Sequence, residues 1–470
     1  MSSVFKEKFS FEGKRVYVIG LGEHGTGREA ALALAKRGAA VTVADEKSPG
    51  ELSAEMRRLE GLQVRFELAE RAYGSIRASD MVVISPGVPA GKAPLESARA
   101  AGIPVVSEID IAYMVSAAPI IAITGTKGKT TTAALVAHLL SREGRSVRLG
   151  GNIGSPLVSL AADAGPEEIL VAEVSSFQLE AIDKFRPWVA AFLNFSADHL
   201  DRHVTIENYW RAKVRIFENQ ADEDFAVLNA HDARLNNLAG SLRARVLRLS
   251  RQQELGAGVF VDGEWVVLSD GAGARRRVLR LASVPLPGAH NLDNVLAAVA
   301  CASVAGTSLE NVENALASFR AGPHRLEEVA CVGGVTFIDD SEATTPSAVA
   351  AALEALQQPI ILIAGGQAKV DDFGELGRAI ARRAKVLLPI GEAGPTIAQA
   401  AARNGFERIQ PAGNLEQAVQ RAFTLAQPGD VVLLSPACAS FDQFKNLEQR
   451  GEAFKAAVAA LAREHGEVVG

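Results

Sequence analysis

The sequence predicts an α/β protein of three domains, each built on a largely parallel sheet covered by helices. Three observations carry this. The chain has 470 residues, too many for one hydrophobic core, and at roughly 150 residues per domain it divides into about three. Short β-branched runs alternate with Ala/Leu-rich amphipathic stretches almost throughout, the rhythm of βαβ units. That rhythm starts afresh near Pro119 and again near Gly322, which places boundaries close to residues 118 and 321 and gives segments 1–118, 119–321 and 322–470.

Taken in order, Arg15–Gly20 (RVYVIG) reads as a strand, Arg28–Arg37 as a helix and Val41–Asp45 as a strand, with further strands at Met81–Ser85 and Pro104–Ser107. The second segment opens on IIAITG, a strand ending in a glycine turn, followed by a helix over Ala133–Leu140 and strands at Ile169–Ala172 and Val189–Asn194. From Ala239 to Leu286 the pattern is weak, but EWVVL and RRVLRL read as hairpin strands. Strands of the third segment are Val335–Asp339, Pro359–Ala364, Lys385–Ile390 and Val431–Ser435. Hydrophobic residues are 48% and charged residues 22% of the chain, an ordinary globular balance. A net charge of −6 argues against a nucleic-acid surface while leaving room for a local basic pocket. Cys301, Cys331 and Cys438 have no metal or redox spacing and fit a reducing, cytoplasmic setting. The start MSSVFKEKFSFEGK lacks an apolar signal core, and no apolar run is long enough for membrane insertion.

The strongest local signal is Ile120–Thr132, IIAITGTKGKTTT. A strand enters a glycine loop and a helix leaves it, so backbone N–H groups and a helix N-terminus can meet a polyphosphate. Gly125, Thr126, Lys127, Gly128, Lys129, Thr130 and Thr131 form this loop. Lys129 can reach the outer phosphates and the Thr130 hydroxyl can bind Mg²⁺. Ile123 stands where the full eight-residue phosphate-loop pattern has its first glycine, and the plain alternative is a turn with a basic pair. ILVAE presents Glu173 at a strand end, where an open parallel sheet gathers its ligands, as a candidate magnesium ligand or a solvated acid. SADHLDRH places His199 beyond the next strand among Asp198, Asp201 and His203, either as a metal ligand or within a capping cluster. No Glu follows His199 in the manner of HExxH, which excludes a zinc protease. At the N-terminus, VIGLGEHGTG with Asp45 some twenty residues on, and the second turn Ser85-Pro86-Gly87, suit a diphosphate ligand. NAD and UDP both satisfy that pattern, so an NAD-dependent enzyme is the competing reading; it leaves the phosphate loop unexplained.

TGTKGKTTT, GGNIGSP, AEVSSFQLE, PGAHNLDN, GPHRLE, DDSEATTP and SPACASFDQFKNLEQRG follow one another in the order expected of the Mur ligase family. The chain resembles that family over nearly its whole length. AEVSSFQLE and SPACASFDQFKNLEQRG resemble its D-glutamate-adding branch. The resemblance implies a Rossmann-like N-terminal domain for the UDP end of the substrate, a central P-loop-type ATP-binding domain, and a Rossmann-like C-terminal domain for the amino acid. It implies ATP-dependent ligation of D-glutamate to UDP-N-acetylmuramoyl-L-alanine through an acyl phosphate. That step belongs to peptidoglycan precursor synthesis, hence to cell-wall biogenesis, cell shape and cell division. A monomer using ATP and Mg²⁺ is expected. An L-glutamate-adding relative stays open.

Residue by residue, the resemblance makes Lys129, His199 and Lys213 catalytic. Thr130, Glu173, His199 and a carbamylated Lys213 are the implied metal ligands. Asn291 and Asn294 are implied near adenine, Arg325 at the phosphates and Asp340 at the ribose, with domain closure completing the site. Gly22, His24, Asp45, Glu46, Ser85, Gly87, Asn152 and His199 are implied for the UDP substrate. Thr344, Lys369, Ser440, Phe441 and Leu447 are implied for glutamate. The loops carrying Lys369 and Ser440 both follow strand ends and are expected to converge. The chain departs from the branch at Glu342, where a lysine is frequent, and at Phe441 and Leu447, where Leu and Phe are frequent.

Overall fold

The computed structural model describes residues 9–21, 25–252, 254–320 and 322–467. They form two compact units: the chain up to Pro285 together with Asp293–Phe319, and Leu286–Leu292 together with the chain from Arg320 onward. No helix among the described residues is long and apolar enough to cross a membrane.

The first unit holds two sheets. One contains β1 (Arg15–Ile19), β2 (Ala40–Asp45), β3 (Val64–Leu68), β4 (Met81–Ile84) and β5 (Val105–Ser107), all parallel, in the order β3-β2-β1-β4-β5. The other runs from β6 (Ile120–Thr124), β7 (Val147–Gly151), β8 (Ile169–Glu173), β9 (Val189–Phe192), β10 (Phe225–Asn229) and β11 (Arg245–Ser250) to β12 (Ala257–Asp262), β13 (Trp265–Asp270) and β14 (Arg275–Arg280). Its order is β14-β13-β12-β11-β10-β9-β6-β8-β7. Pairing is parallel from β7 to β12 and antiparallel in the final β12-β13-β14 ribbon, which includes the hairpin that EWVVL and RRVLRL predict. β3 and β7 are edge strands. Each has only one neighbour to cover it, so charged residues and glycines are tolerated there and its apolar signal is diluted.

The helix after β6 begins at Lys129, not at Ala133 as the apolar pattern alone suggests. Its first turn, KTTT, is polar because its side chains bond there: Lys129 to Gly125 O and Thr126 O, Thr130 to Glu173, and the buried Thr132 to Asn294. Gly128 has φ +81°, and a side chain there would place its Cβ 2.2 Å from Asn294 Oδ1. Both the backbone and the space therefore require glycine.

The helices Thr26–Ala35, Glu108–Val115 and Leu157–Ala162 bring the two sheets together in one core that includes Leu34, Val43, Ile111, Leu157, Val158, Phe185 and Phe192. Asp110 fixes the junction. Its carboxylate is buried and accepts from Ser107 N at 2.9 Å and, on the second sheet's side, from Asp183 N at 3.0 Å, Lys184 N at 2.7 Å and Phe185 N at 2.7 Å. Burial pushes this carboxyl up to about 6, and the four N–H groups pull the other way. Neighbouring Glu108 accepts from Gln178 Nε2 at 2.8 Å. The loops of the first sheet are thus tied to the segment that follows β8.

The second unit has one sheet, β15 (Glu327–Val332), β16 (Val335–Asp339), β17 (Ile360–Gly365), β18 (Ala384–Ile390) and β19 (Val431–Leu434), in the order β15-β16-β19-β17-β18. Only β15 runs antiparallel. In β17, Ile360, Leu362 and Ala364 join the core beneath helices Pro346–Ala355, Gly374–Arg383 and Gly394–Arg403. Ile361 and Ile363 join the core beneath helices Leu415–Leu425 and Leu447–Glu464. This is the period of two that a doubly covered strand imposes.

Asp110→Asn is expected to lower the stability of the first unit by about 2–4 kcal/mol, since an amide group would turn N–H donors toward N–H donors. A drop in the urea midpoint relative to the parent checks this; an unchanged midpoint would show that the junction does not depend on the carboxylate.

Candidate nucleotide and metal site

Strands β6, β8 and β9 lie side by side, and their carboxyl ends open on the same edge of the sheet. The loop leaving β6 is clamped by the end of the segment after β9. Asn194 Oδ1 accepts from Lys127 N at 2.9 Å, Asn194 Nδ2 donates to Lys127 O at 3.0 Å, and Asn194 O accepts from Thr126 N at 3.0 Å. Thr126 Oγ1 accepts from Ser196 N at 3.1 Å. Asn294 Oδ1 accepts from Thr132 Oγ1 at 3.2 Å, which seats the second asparagine against the helix start. Thr131 is half-buried in that first turn.

Glu173 is the centre of the arrangement. It is 3% exposed, accepts from Thr130 Oγ1 at 2.6 Å on one oxygen and from Asn152 Nδ2 at 2.8 Å on the other. Asn152 N also donates to Glu173 O at 2.8 Å. Lys129 Nζ arches back over the loop and donates to Gly125 O and Thr126 O, each at 3.0 Å. Lys127 Nζ stands 3.8 Å from Asp198 Oδ2.

Lys213 comes from the helix Ile206–Val214 and is buried. Its Nζ donates to Gly125 O at 2.8 Å and Thr124 Oγ1 at 3.3 Å, and lies 5.0 Å from the centre of the Tyr209 ring. Burial pulls its pKa well below the ordinary lysine value, the Lys129 charge lowers it further, and Asp198 and Glu173 oppose both. His199 has φ +52° at the N-terminus of the short helix Leu200–His203. Its ring sits edge-on to Phe177 at 5.1 Å and Tyr209 at 6.0 Å, and burial lowers its pKa against the pull of Asp198. The glycine loop, two carboxylates, an imidazole and a buried lysine amine thus converge on one strand edge.

Two contributors escaped the sequence reading. In the sequence pattern Asn194 stands only as the end of a strand, although an amide at a strand end beside a glycine loop is a signal. Tyr209 lies one helical turn before Lys213, so both share a face, and its hydroxyl lies 3.3 Å from Thr126 Oγ1.

On the first sheet, the loops after β1 and β4 meet: the Ser85 hydroxyl donates to Gly20 O. Gly22 and His24 lie outside the described residues. Asp45 uses its carboxylate on the backbone, accepting from Leu21 N at 2.9 Å and Lys47 N at 3.0 Å. Glu46 is exposed and accepts from Lys92 Nζ at 2.7 Å and Tyr73 Oη at 2.9 Å. Gly87 is exposed, and Arg202, paired with Glu180 at 2.7 Å, donates to the carbonyls of Pro86, Gly87 and Val88.

In the second unit, Asn291 Nδ2 donates to Pro287 O at 2.7 Å. Asp340 is buried, accepts from Ser435 Oγ at 2.7 Å and Leu326 N at 3.2 Å, and burial pushes it up to about 7. Arg325 pairs with Glu342 at 3.0 Å. Lys369 Nζ donates to Thr344 Oγ1 at 3.3 Å. The loops bearing Lys369 and Ser440 do converge: Gln367 N donates to Ala439 O and Ala439 N to Gln367 O, both at 2.9 Å. Ser440 is buried, Phe441 is exposed, and Leu447 opens the last helix with its carbonyl accepting from Ser341 Oγ at 2.8 Å. Beneath these loops the buried Arg450 donates to Ser341 O at 2.8 Å, Ser341 Oγ at 2.9 Å and Cys438 O at 3.1 Å.

Three family models match the chain: a "Mur ligase MurD-like, N-terminal domain" over residues 14–107, a "Mur ligase middle domain" over 123–302 and a "Mur ligase, glutamate ligase domain" over 324–438. A relative from Pelotomaculum thermopropionicum named UDP-N-acetylmuramoylalanine–D-glutamate ligase is 45% identical over 453 residues, 96% of this chain and 99% of its own. A relative of the same name from Koribacter versatilis is 43% identical over 96% of this chain and 98% of its own. Among solved structures, UDP-N-acetylmuramate-alanine ligase from Thermotoga maritima has TM-score 0.59 at 19% identity, covering 95% of this chain and 100% of that one. The MurF ligase from the same organism, solved with ADP, has TM-score 0.58 at 18% identity and covers 98% of each. At such identities the two structures speak for the fold alone. The models and the relatives establish that this chain belongs to the Mur ligase family of ATP-dependent amide-forming ligases.

Proposed function

We propose that this chain joins D-glutamate to UDP-N-acetylmuramoyl-L-alanine with ATP, in the synthesis of peptidoglycan precursors. What carries the reading is the convergence of Thr130, Asn152, Glu173 and Lys213 on the phosphate loop, in a chain 45% identical to a relative of that name. A carboxylate is a poor electrophile, so the γ-phosphoryl group is first transferred to the alanyl carboxylate. The lone pair of the glutamate amine then attacks the acyl phosphate carbon. The tetrahedral intermediate collapses with phosphate as leaving group and the amine proton lost, giving the amide. Two anions must be held together, and the Lys129 ammonium and the loop N–H groups neutralise the charge that develops.

The donor set suits magnesium. Thr130 Oγ1 and the Glu173 carboxylate are hard oxygen donors already in register, and His199 lies near enough to Lys129 and Lys213 to feel their charges. When bound, the ion would supply Lewis-acid polarisation of phosphate oxygens. Lys213 belongs to this set as a carbamate. Burial disfavours the ammonium form of this amine; an unprotonated amine can attack CO₂ through its lone pair, losing a proton as the N–C bond forms, and the resulting anion suits a cation where an ammonium does not.

The UDP end is assigned to the first sheet, at Asp45, Glu46, Ser85 and Gly87, with Asn152 and His199 toward the acyl end. Asn291, Asn294, Arg325 and Asp340 are assigned to the nucleotide. Lys369 and Thr344, already in contact, are assigned with Ser440, Phe441 and Leu447 to glutamate, the lysine pairing with one carboxylate. Domain boundaries near 118 and 321, a monomeric state and a cytoplasmic setting belong to the same proposal.

Lys129→Ala should lower kcat by roughly 10²-fold or more with the circular dichroism spectrum retained; near-parent turnover at saturating ATP would remove the phosphate-loop assignment. Lys213→Ala should lose most activity and regain part of it with millimolar acetate or formate. Failure of every small carboxylate to restore turnover would count against the carbamate. Lys369→Ala should raise the KM for D-glutamate while leaving that for ATP near the parent value, and ligation should prefer D-glutamate over aspartate, lysine and diaminopimelate. Efficient use of a basic or neutral amino acid would move the chain to another branch.

A further inference from the structure

We propose that Glu342 is a positioning residue that serves as an internal counter-anion for Arg325, occupying the guanidinium until a nucleotide phosphate displaces it and thereby setting nucleotide affinity. This rests on the reading that Arg325 meets the nucleotide phosphates.

Arg325 sits between two non-glycine residues with positive φ, His324 at +63° and Leu326 at +45°. Such a turn persists only where its surroundings over-determine it. Here His324 N donates to Glu327 Oε2 at 2.8 Å, the His324 ring at Nδ1 bonds Asp339 Oδ2 at 2.7 Å, and Leu326 N donates to Asp340 Oδ1 at 3.2 Å. The last helix closes on the same turn at Gly451, where any Cβ would lie 2.1 Å from His324 Nδ1.

Glu342 is fixed to that turn through its own backbone. Its N–H donates to His324 O at 3.1 Å, and Thr344 N donates to Glu342 O at 2.8 Å. The residue before it, Ser341, is held from below by Arg450 and donates its N–H to Asp339 Oδ1 at 2.9 Å. Both partners of the 3.0 Å pair therefore project from one hydrogen-bonded backbone, so little backbone ordering is needed for them to meet. Their side chains are 28% and 30% exposed, so the pair is partly desolvated yet open to an incoming anion.

A carboxylate and a phosphate compete for the same face of a guanidinium, since both offer two acceptor oxygens to the N–H fork. Nucleotide binding must then break an existing contact, which lowers affinity. When the nucleotide leaves, the carboxylate recaptures Arg325 and keeps the guanidinium in place for the next turnover.

The test is calorimetric titration of the full chain with a non-hydrolysable ATP analogue, for the parent, Glu342→Gln, Arg325→Gln and the double variant, with thermal midpoints recorded for each. Glu342→Asp, with its shorter reach, serves as a second variant. The expected result is tightening by roughly 2- to 5-fold for Glu342→Gln, a smaller tightening for Glu342→Asp, and an unchanged KM for D-glutamate. Arg325→Gln should weaken binding, and Glu342→Gln should have no effect in its presence. If Arg325→Gln binds as the parent does, the phosphate reading of Arg325 fails and the inference with it. If Arg325→Gln weakens binding but Glu342→Gln does not tighten it, or tightens it equally without Arg325, the inference alone is overturned.

Discussion

Parallel pairing of three neighbouring strands sets Glu173 opposite both Ile123 of β6 and Gly151 of β7. The rest of the central site depends on that register. The phosphate loop starts two residues past Ile123, and Asn152 is the next residue after Gly151, so both arrive at the Glu173 carboxylate without a long excursion. A slip of one residue in either pairing would turn Glu173 to the opposite face of the sheet. It would leave a buried carboxylate with neither Thr130 nor Asn152 to satisfy it. The geometry of a parallel ladder thus does the work that a dedicated binding loop would otherwise have to do.

Burial of charge is the second theme. Asp110, Asp340, Lys213 and Arg450 are all nearly inaccessible, and desolvation pushes each toward its neutral form. Asp110 and Arg450 are compensated by backbone groups alone or almost alone, and they act as rivets, one between two sheets and one beneath three loops. Lys213 has two oxygen partners and a neighbouring ammonium, and burial together with the Lys129 charge disfavours its ammonium form. The same physical cost is met differently in each place, and the difference lies in how completely hydrogen bonds offset it.

His199, Val204, His324, Leu326 and Ala437 have positive φ without being glycine, and they cluster in the loops beyond strand ends or in the turns that hold Arg325 and His199. Positive φ outside glycine also occurs at Ala69 and Tyr73, after β3. His324, Leu326 and Ala437 are pinned by hydrogen bonds from a neighbouring segment, and His199 and Val204 by bonds within their own turn, which is what allows an unfavourable conformation to persist.

By itself the sequence determined the layered α/β architecture, the order strand, glycine loop, helix over Ile120–Leu140, the strand-end position of Glu173 and the convergence of the loops bearing Lys369 and Ser440. These follow from local patterns: apolar periodicity, glycines in the loop after an apolar strand, and polar loops at strand ends. Family resemblance, and no local pattern, singled out Lys213, a lysine in an amphipathic helix. Only the tertiary structure decided that this lysine is buried against Gly125, that Asn194 clamps the phosphate loop, that Asp45 spends its carboxylate on backbone N–H groups, and that Glu342 answers Arg325. These are contacts between residues mostly far apart in the chain, brought together by sheet order, and burial and partner choice exist only once the strands have chosen their neighbours.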